Sequence, residues 1–377
     1  MPPVIFAYDE LTWQQVAALP RSTPLLLPLG GGYDLPYLAR SLGDPTELGV
    51  LPAIPFGWQG SPLPVPTPVF RQLVANLVSN LQEDGFERVY LLAPPGVELG
   101  LGAAELRLAR QGGDEILPPA AALGKVILVP VGHTEQHGCH LPLSVDTICI
   151  DAVSQGTARA VPGQAYALPV FPYGVSTHRR SFPGTMNVGG RAFEDFWLAV
   201  VDHLVKRGFE TQYLLSGHGG NCSFLTNVVK YAGERHLAAF IATAWLYLSG
   251  PEGIKALKKH RRSKLGGMGH ACELETALML HLRPHLVHME RVVDETAFIT
   301  TPSYTMDWIE SGALVANPPW QDDTRTGAYG AGSLATAQNG HIWLEAAVSE
   351  KVTHVSEILE QHRRRGERRA SAWFNEQ

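Results

Sequence analysis

The chain has 377 residues, 45% hydrophobic and 18% charged, which is ample material for a large core and too apolar for a disordered polymer. Lys and Arg number 30 against 36 Asp and Glu; the formal charge of -6 has the wrong sign for a protein whose main partner is nucleic acid. No apolar run reaches the roughly 18 residues of a membrane span, MPPVIFAYDELTW lacks the order of a secretory leader, and Cys139, Cys149, Cys222 and Cys272 show no paired spacing, so a reducing, cytoplasmic setting is expected.

In chain order, Pro24 to Gly30 (PLLLPLG) and Leu51 to Gly57 (LPAIPFG) are short apolar runs. Phe70, Leu73, Val74, Leu77, Val78 and Leu81 recur at helical spacing, and a GFE turn (Gly85 to Glu87) precedes a strand at Tyr90-Leu91-Leu92. The stretch from Gln111 to Gly124, rich in Gly, Pro and Ala, reads as a boundary. The same order then returns. Lys125 to Val131 (KVILVPV) reads as a buried strand and Leu168 to Pro172 (LPVFP) as another. Phe193, Phe196, Trp197, Val200, Val201, Leu204 and Val205 mark a helix between Ala192 and Val205, Gly208 stops it, and Tyr213 to Leu215 opens the next strand. Strand, helix, strand with short links predicts an α/β fold, three-layer α/β/α with a mostly parallel sheet.

From Phe70 through Leu92 the register matches the later copy without a gap, which points to an internal duplication, with halves at residues 1–118 and 119–377. Where the second half has Glu135 and His137, the first has Tyr33 and Leu35; where the second has His218, the first has Pro95. The first half is therefore expected to be a degenerate, non-catalytic copy serving packing, cleft shape or assembly.

Three segments carry chemistry. Gly132 to Asp146 (GHTEQHGCHLPLSVD) places Glu135 and His137 just after a strand, where open α/β sheets site their ligands, with Asp146 further on. Two carboxylates and an imidazole suit Zn, Mn or Fe better than Ca, although loop bridging would also explain the pair Glu135 and His137. Ser216 to Asn221 (SGHGGN) surrounds His218 with glycines that admit close backbone approach. Gly269 to Thr276 (GHACELET) opens a helical run; spacing i, i+3 puts His270 and Glu273 on one helix face, while Glu275 points elsewhere and suits a dipole or capping role. A fourth segment, Pro172 to Thr185, holds His178, Arg179 and Arg180 in a loop, as cleft lining or as solvated charge.

Together these segments resemble the creatininase family. Its EQHG…HLP…D pattern stands as Glu135 to Gly138, His140 to Pro142 and Asp146; FPGT is Phe182 to Thr185; GHGGN is Gly217 to Asn221; HAGExET is His270 to Thr276, with Cys272 in place of Gly. The resemblance implies a hydrolase with two divalent metal ions (Zn, Mn or Fe), one held by Glu135, Asp146 and His218, the other by His137, the shared Asp146 and a further carboxylate. In creatininase proper that last ligand sits two residues after the GH histidine, here Gly220, so Glu273 is the expected substitute. The implied chemistry is metal-bound hydroxide attacking a carbonyl to cleave a C–N bond in a small polar molecule (amide, cyclic amide or formamide), with His270 and Glu273 as the catalytic pair and His270 shuttling the proton.

Creatinine itself is disfavoured, because Gly266 stands where creatininase has an aromatic residue. Trp245 is the candidate wall, with a core place as its alternative, and His178 and Arg179 the candidate contacts to an anionic or polyhydroxylated substrate. Ring opening of an inositol-type cyclic ketone, a metal-binding scaffold without turnover, and a phosphoesterase sharing the two-metal chemistry are the rival readings, with a thiolate nucleophile at Cys272 as a further alternative. A homo-oligomer, dimer or trimer, is expected, with the HRRRGERR run (His362 to Arg369) as a solvated helix end.

Overall fold

The computed structural model describes residues 3–101, 105–111, 115–176 and 181–371. A first sheet is built from β1 (Val4–Ala7), β2 (Leu25–Pro28), β3 (Glu47–Val50), β4 (Val89–Ala93) and β5 (Glu105–Arg107), with α1 (Trp13–Ala18), α2 (Leu35–Ser41) and α3 (Thr67–Glu83) in the connections. A second follows from β6 (Val126–Val131), β7 (Ala165–Ala167), β8 (Thr211–Ser216) and β9 (Phe240–Thr243), interleaved with α4 (Val145–Ala160), α5 (Gly190–Lys206) and α6 (Gly219–Arg235). Then come α7 (Pro251–His260), β10 (Met268–His270), α8 (Glu273–Leu282), β11 (Tyr329–Gly330) and the long α9 (Ala337–Ala370).

Every pairing in the two large sheets is parallel, and the order β3-β2-β4-β5 recurs as β7-β6-β8-β9. Equivalent bonds recur as well. Leu26 lies opposite Tyr90 as Leu128 lies opposite Tyr213, and the Gly30 N–H donates to Ile54 O at 2.8 Å as the Gly132 N–H does to Phe171 O at 2.8 Å.

Alternation along β6 explains the layering. Ile127, Val129 and Val131 join a core with Phe193, Phe196 and Trp197 of α5, while Val126 and Leu128 join one with Val145 and Cys149 of α4 and Trp343 of α9. The second sheet therefore lies between α5 and α6 on one side and α4, α8 and α9 on the other. Leu25, Leu27 and Leu29 of the first half enter the same middle core as α5, together with Phe70 and Leu73 of α3, whereas Leu26 and Leu92 pack outward against Leu38 of α2. The middle layer is shared: Phe56 stacks on Phe196 with centroids 6.3 Å apart, and the Asn76 side chain donates to Val188 O at 2.6 Å.

Two local expectations fail. Leu168 to Pro172 is not a strand: β7 ends at Ala167, and only Phe171 bridges to Val131. Pro169 and Pro172 each lack an N–H, so the run lies along β6 without forming a full ladder. His270 and Glu273 do not share a helix face, because His270 ends β10 and the chain turns through Ala271 at φ 48° before α8 begins at Glu273.

Candidate metal centre

The end of β6 leads into a loop pinned on both sides. The Glu135 N–H donates to Leu143 O at 3.0 Å, and the Thr134 hydroxyl donates to Pro172 O at 2.9 Å. Asp146 sits in the first turn of α4, His218 is the N-cap of α6 at the end of β8, and Glu275 lies in the first turn of α8. Three helix N-termini thus converge on the carboxyl ends of two adjacent parallel strands, β6 and β8. Glu135, His137, Asp146, His218, His270 and Glu275 are each no more than 4% exposed.

Asp146 lies between two donor groups. Its Oδ2 is 3.2 Å from His218 Nδ1, which is 3.0 Å from Glu135 Oε1; its Oδ1 is 3.3 Å from His137 Nε2, which is 3.8 Å from Glu275 Oε1. His270 Nδ1 lies 3.7 Å from Glu135 Oε1. Burial works against charge on His137 and His218, but the facing carboxylates outweigh it. Asp146 and Glu275 hold His137 well above the usual imidazole range, and Glu135 and Asp146 bring His218 to about 9.

The outer nitrogens fix the rings. His137 Nδ1 donates to Glu135 O at 3.1 Å, His218 Nε2 to Val175 O at 2.9 Å and His270 Nε2 to Gln136 O at 2.7 Å. With the inward nitrogen unprotonated, each of the three rings would present a lone pair to the centre, the arrangement of metal-binding histidines. His137 Nε2 and Asp146 Oδ2 are buried without a hydrogen bond among the described residues. Nitrogen and carboxylate donors, with inward lone pairs and buried polar atoms lacking hydrogen bonds, fit a divalent transition metal.

The structure separates the candidates. Glu135, His137, Asp146, His218 and His270 come together. Glu273 does not join them: its carboxylate accepts the N–H groups of Arg262 (2.9 Å) and Ser263 (2.7 Å), and the facing carboxylate from that segment is Glu275. His178 and Arg179, with Arg180, lie outside the described residues. Trp245 is 53% exposed and makes no ring contact with the cluster among the described residues; the indole against His270 is Trp320, edge-to-face with centroids 5.1 Å apart. Trp320 in turn packs on Tyr329, which stacks on Phe298. No spacing pattern ties Trp320 to the motifs, since it arrives from a long irregular connection.

His133 also escaped the sequence reading. It is fully buried two residues before Glu135, with Nε2 3.8 Å from Glu135 Oε2. Burial, reinforced by Glu275, pushes the Cys149 and Cys272 thiols well up, and burial takes the Cys222 thiol to about 12, which favours the protonated thiols where no cation bears on them.

Comparison with known proteins agrees with this geometry. The sequence pattern of the creatininase family, creatinine amidohydrolase, matches residues 117–355. Creatinine amidohydrolase of Pseudomonas putida is 27% identical over 236 residues, 59% of this chain and 85% of that protein. The 3-dehydro-scyllo-inosose hydrolase of Thermotoga maritima is 28% identical over 247 residues, 62% and 78% of the two chains. The mycofactocin precursor peptide peptidase of Mycobacterium ulcerans is 32% identical over 181 residues, 44% and 62%. A solved creatininase with Mn superposes with a TM-score of 0.54 at 25% identity, covering 63% of this chain and 92% of that one. With its match spanning well over half its length, and with its α/β fold and buried His and carboxylate cluster, this chain belongs to the creatininase family of metal-dependent amidohydrolases.

Proposed function

We propose that the chain hydrolyses a C–N bond (amide, cyclic amide or formamide) in a small polar molecule, using two divalent ions. The observation that carries this is the position of Asp146, whose two oxygens face opposite donor groups at 3.2 and 3.3 Å. Glu135, Asp146 and His218 would hold one ion, and His137, Asp146 and Glu275 the other. Such a pair, when bound, acidifies a water and polarises a carbonyl.

The chain's own residues supply the rest. His270 keeps its Nε2–H on Gln136 O, so Nδ1 is directed inward as a base that takes a proton from the attacking water and returns it to the leaving nitrogen. Trp320 closes one side of His270, excluding water and offering an aromatic flank to a planar substrate. The ring-opening hydrolysis of a cyclic ketone is the second reading, favoured by the comparable identity to the inosose hydrolase.

The test is a screen of the zinc- or manganese-loaded protein across cyclic amides, formamides and cyclic ketones, with Asp146→Ala as control. Turnover of an amide or formamide that Asp146→Ala abolishes supports the proposal; turnover of cyclic ketones alone favours the second reading. A fully loaded protein inert on every class would leave a metal-binding scaffold.

A further inference from the structure

We propose that His133 is a positioning residue for Glu135 and not a metal ligand, its ring locked with the proton on the nitrogen that faces the carboxylate. This rests on the two-ion reading above and refines it. On distance alone His133 would count as a ligand, since its nitrogen, a Glu135 oxygen and a His218 nitrogen lie within 4.8 Å of one another. The other ring nitrogen decides against that. The Gly174 N–H donates to His133 Nδ1 at 2.8 Å. A backbone N–H can only donate, so Nδ1 spends its lone pair there and the neutral ring carries its proton on Nε2. A protonated ring nitrogen has no lone pair for a cation.

One dipeptide sets two neighbouring histidines to opposite uses. Gly174 gives its N–H to His133 Nδ1, while Val175 O takes the Nε2–H of His218. The dipeptide is itself held: the Val175 N–H donates to Asn221 Oδ1 at 2.9 Å, and Asn221 Nδ2 donates to Gly132 O at 3.2 Å. A side chain at position 174 would collide with Asn221, since an ideal Cβ there falls 2.2 Å from its Oδ1. The rings of His133 and His218 lie 4.5 Å apart at 32°.

Among the described residues His133 Nε2 faces Glu135 Oε2, 3.8 Å away. That same oxygen accepts the Ser176 hydroxyl at 2.9 Å, whereas Glu135 Oε1 faces His218 and His270. The carboxylate is thereby divided: Oε2 is tethered by the Ser176 hydroxyl and faced by an N–H dipole, while Oε1 is the oxygen turned toward His218 and His270. Outer contacts of this kind typically change metal affinity by about 10- to 100-fold.

The test uses the full-length protein with zinc as the probe. His133→Ala is expected to keep the wild-type zinc stoichiometry in elemental analysis but to lose about 10-fold or more in affinity by chelator competition. His133→Gln, which keeps an N–H near the place of Nε2, is expected to recover most of it. Long-range ¹H–¹⁵N spectra of the wild type are expected to show His133, identified by its absence from the His133→Gln spectrum, as the Nε2–H tautomer both with and without zinc. Loss of one zinc equivalent in His133→Ala, unchanged affinity, or a His133 ring protonated on Nδ1 would each overturn the inference. Wild-type protein that takes up no zinc would instead sink the two-ion reading and this role with it; the tautomer measurement still reads the ring independently of any activity.

Discussion

At the scale of single residues, two glutamates two positions apart have different fates. Positions i and i+2 of a helix point about 200° apart, so Glu273 and Glu275 cannot both face the centre. Glu273, at the start of α8, turns back to accept two backbone N–H groups of the 262–263 turn, and Glu275 turns toward His137. Cys272 Sγ approaches the outer oxygen of Glu275 at 3.8 Å. Substitution should therefore separate the two. Glu275→Gln is expected to lower the affinity for one metal ion at least about 10-fold while the protein remains folded, because it removes a charged donor from the centre. Glu273→Gln is expected to keep both metal equivalents and to lose roughly 1.5–3 kcal/mol of stability, because it weakens backbone hydrogen bonds to a buried charge. Equilibrium dialysis with elemental analysis and a thermal melt on the same samples check both arms; loss of metal in the Glu273 variant alone would reverse the assignment.

At the scale of elements, the centre is assembled from the starts of helices. Asp146 and Glu275 lie in first turns, where the helix dipole favours negative charge, and His218 caps α6. The glycines after His218 belong to that geometry. An ideal Cβ at Gly220 falls 2.3 Å from Val175 O and 2.4 Å from His218 Nε2, the two atoms of the bond that orients the ring. The close approach that turns His218 inward therefore leaves no space for a side chain at 220, and the carboxylate that faces His137 beside Asp146 is Glu275 of α8. Gly220→Ala is expected to cost about 1–3 kcal/mol and to weaken metal binding through His218. Denaturant unfolding followed by zinc competition would show it, and an unperturbed zinc affinity would mean that the ring does not depend on this approach.

At the scale of the whole molecule, the first half is built into the second. The middle layer mixes α3 and α5, and the loop that carries Glu135 and His137 leans on the amino-terminal segment: the Leu143 N–H donates to Leu11 O, the Ser144 N–H to Asp9 O, each at 3.0 Å, and the Trp13 indole donates to Thr326 O at 2.9 Å. A half lacking Glu, His and His at the three matching positions still supplies the other wall of the core and braces the loop ahead of Asp146. Residues 119–377 expressed alone would expose Phe171, Phe196 and Trp197, each worth roughly 2–3 kcal/mol of burial, and are expected to aggregate or to lose zinc binding. Sedimentation and zinc titration of that fragment decide it; a soluble fragment with wild-type affinity would show the first half to be dispensable to the centre. Among the described residues no helix is long and apolar enough to cross a membrane.

Much was legible in the residues alone, and the reason is periodicity. Helical spacing marked α3 and α5, and the buried strands announced themselves as apolar runs, because those signals depend only on neighbours a few positions away. Glu135, His137, Asp146, His218 and His270 were legible as well, each set in a short motif at the end of a strand or the start of a helix. What sequence could not assign depends on direction and distance across the fold. Which of two glutamates turns inward is set by the tight bend at Ala271. Trp320 reaches His270 from an irregular connection that carries no pattern, and His133 takes its proton position from a backbone N–H 41 residues along the chain. Such choices belong to tertiary structure, because a side chain's chemistry is fixed by what packs against it and only the folded chain brings those groups together.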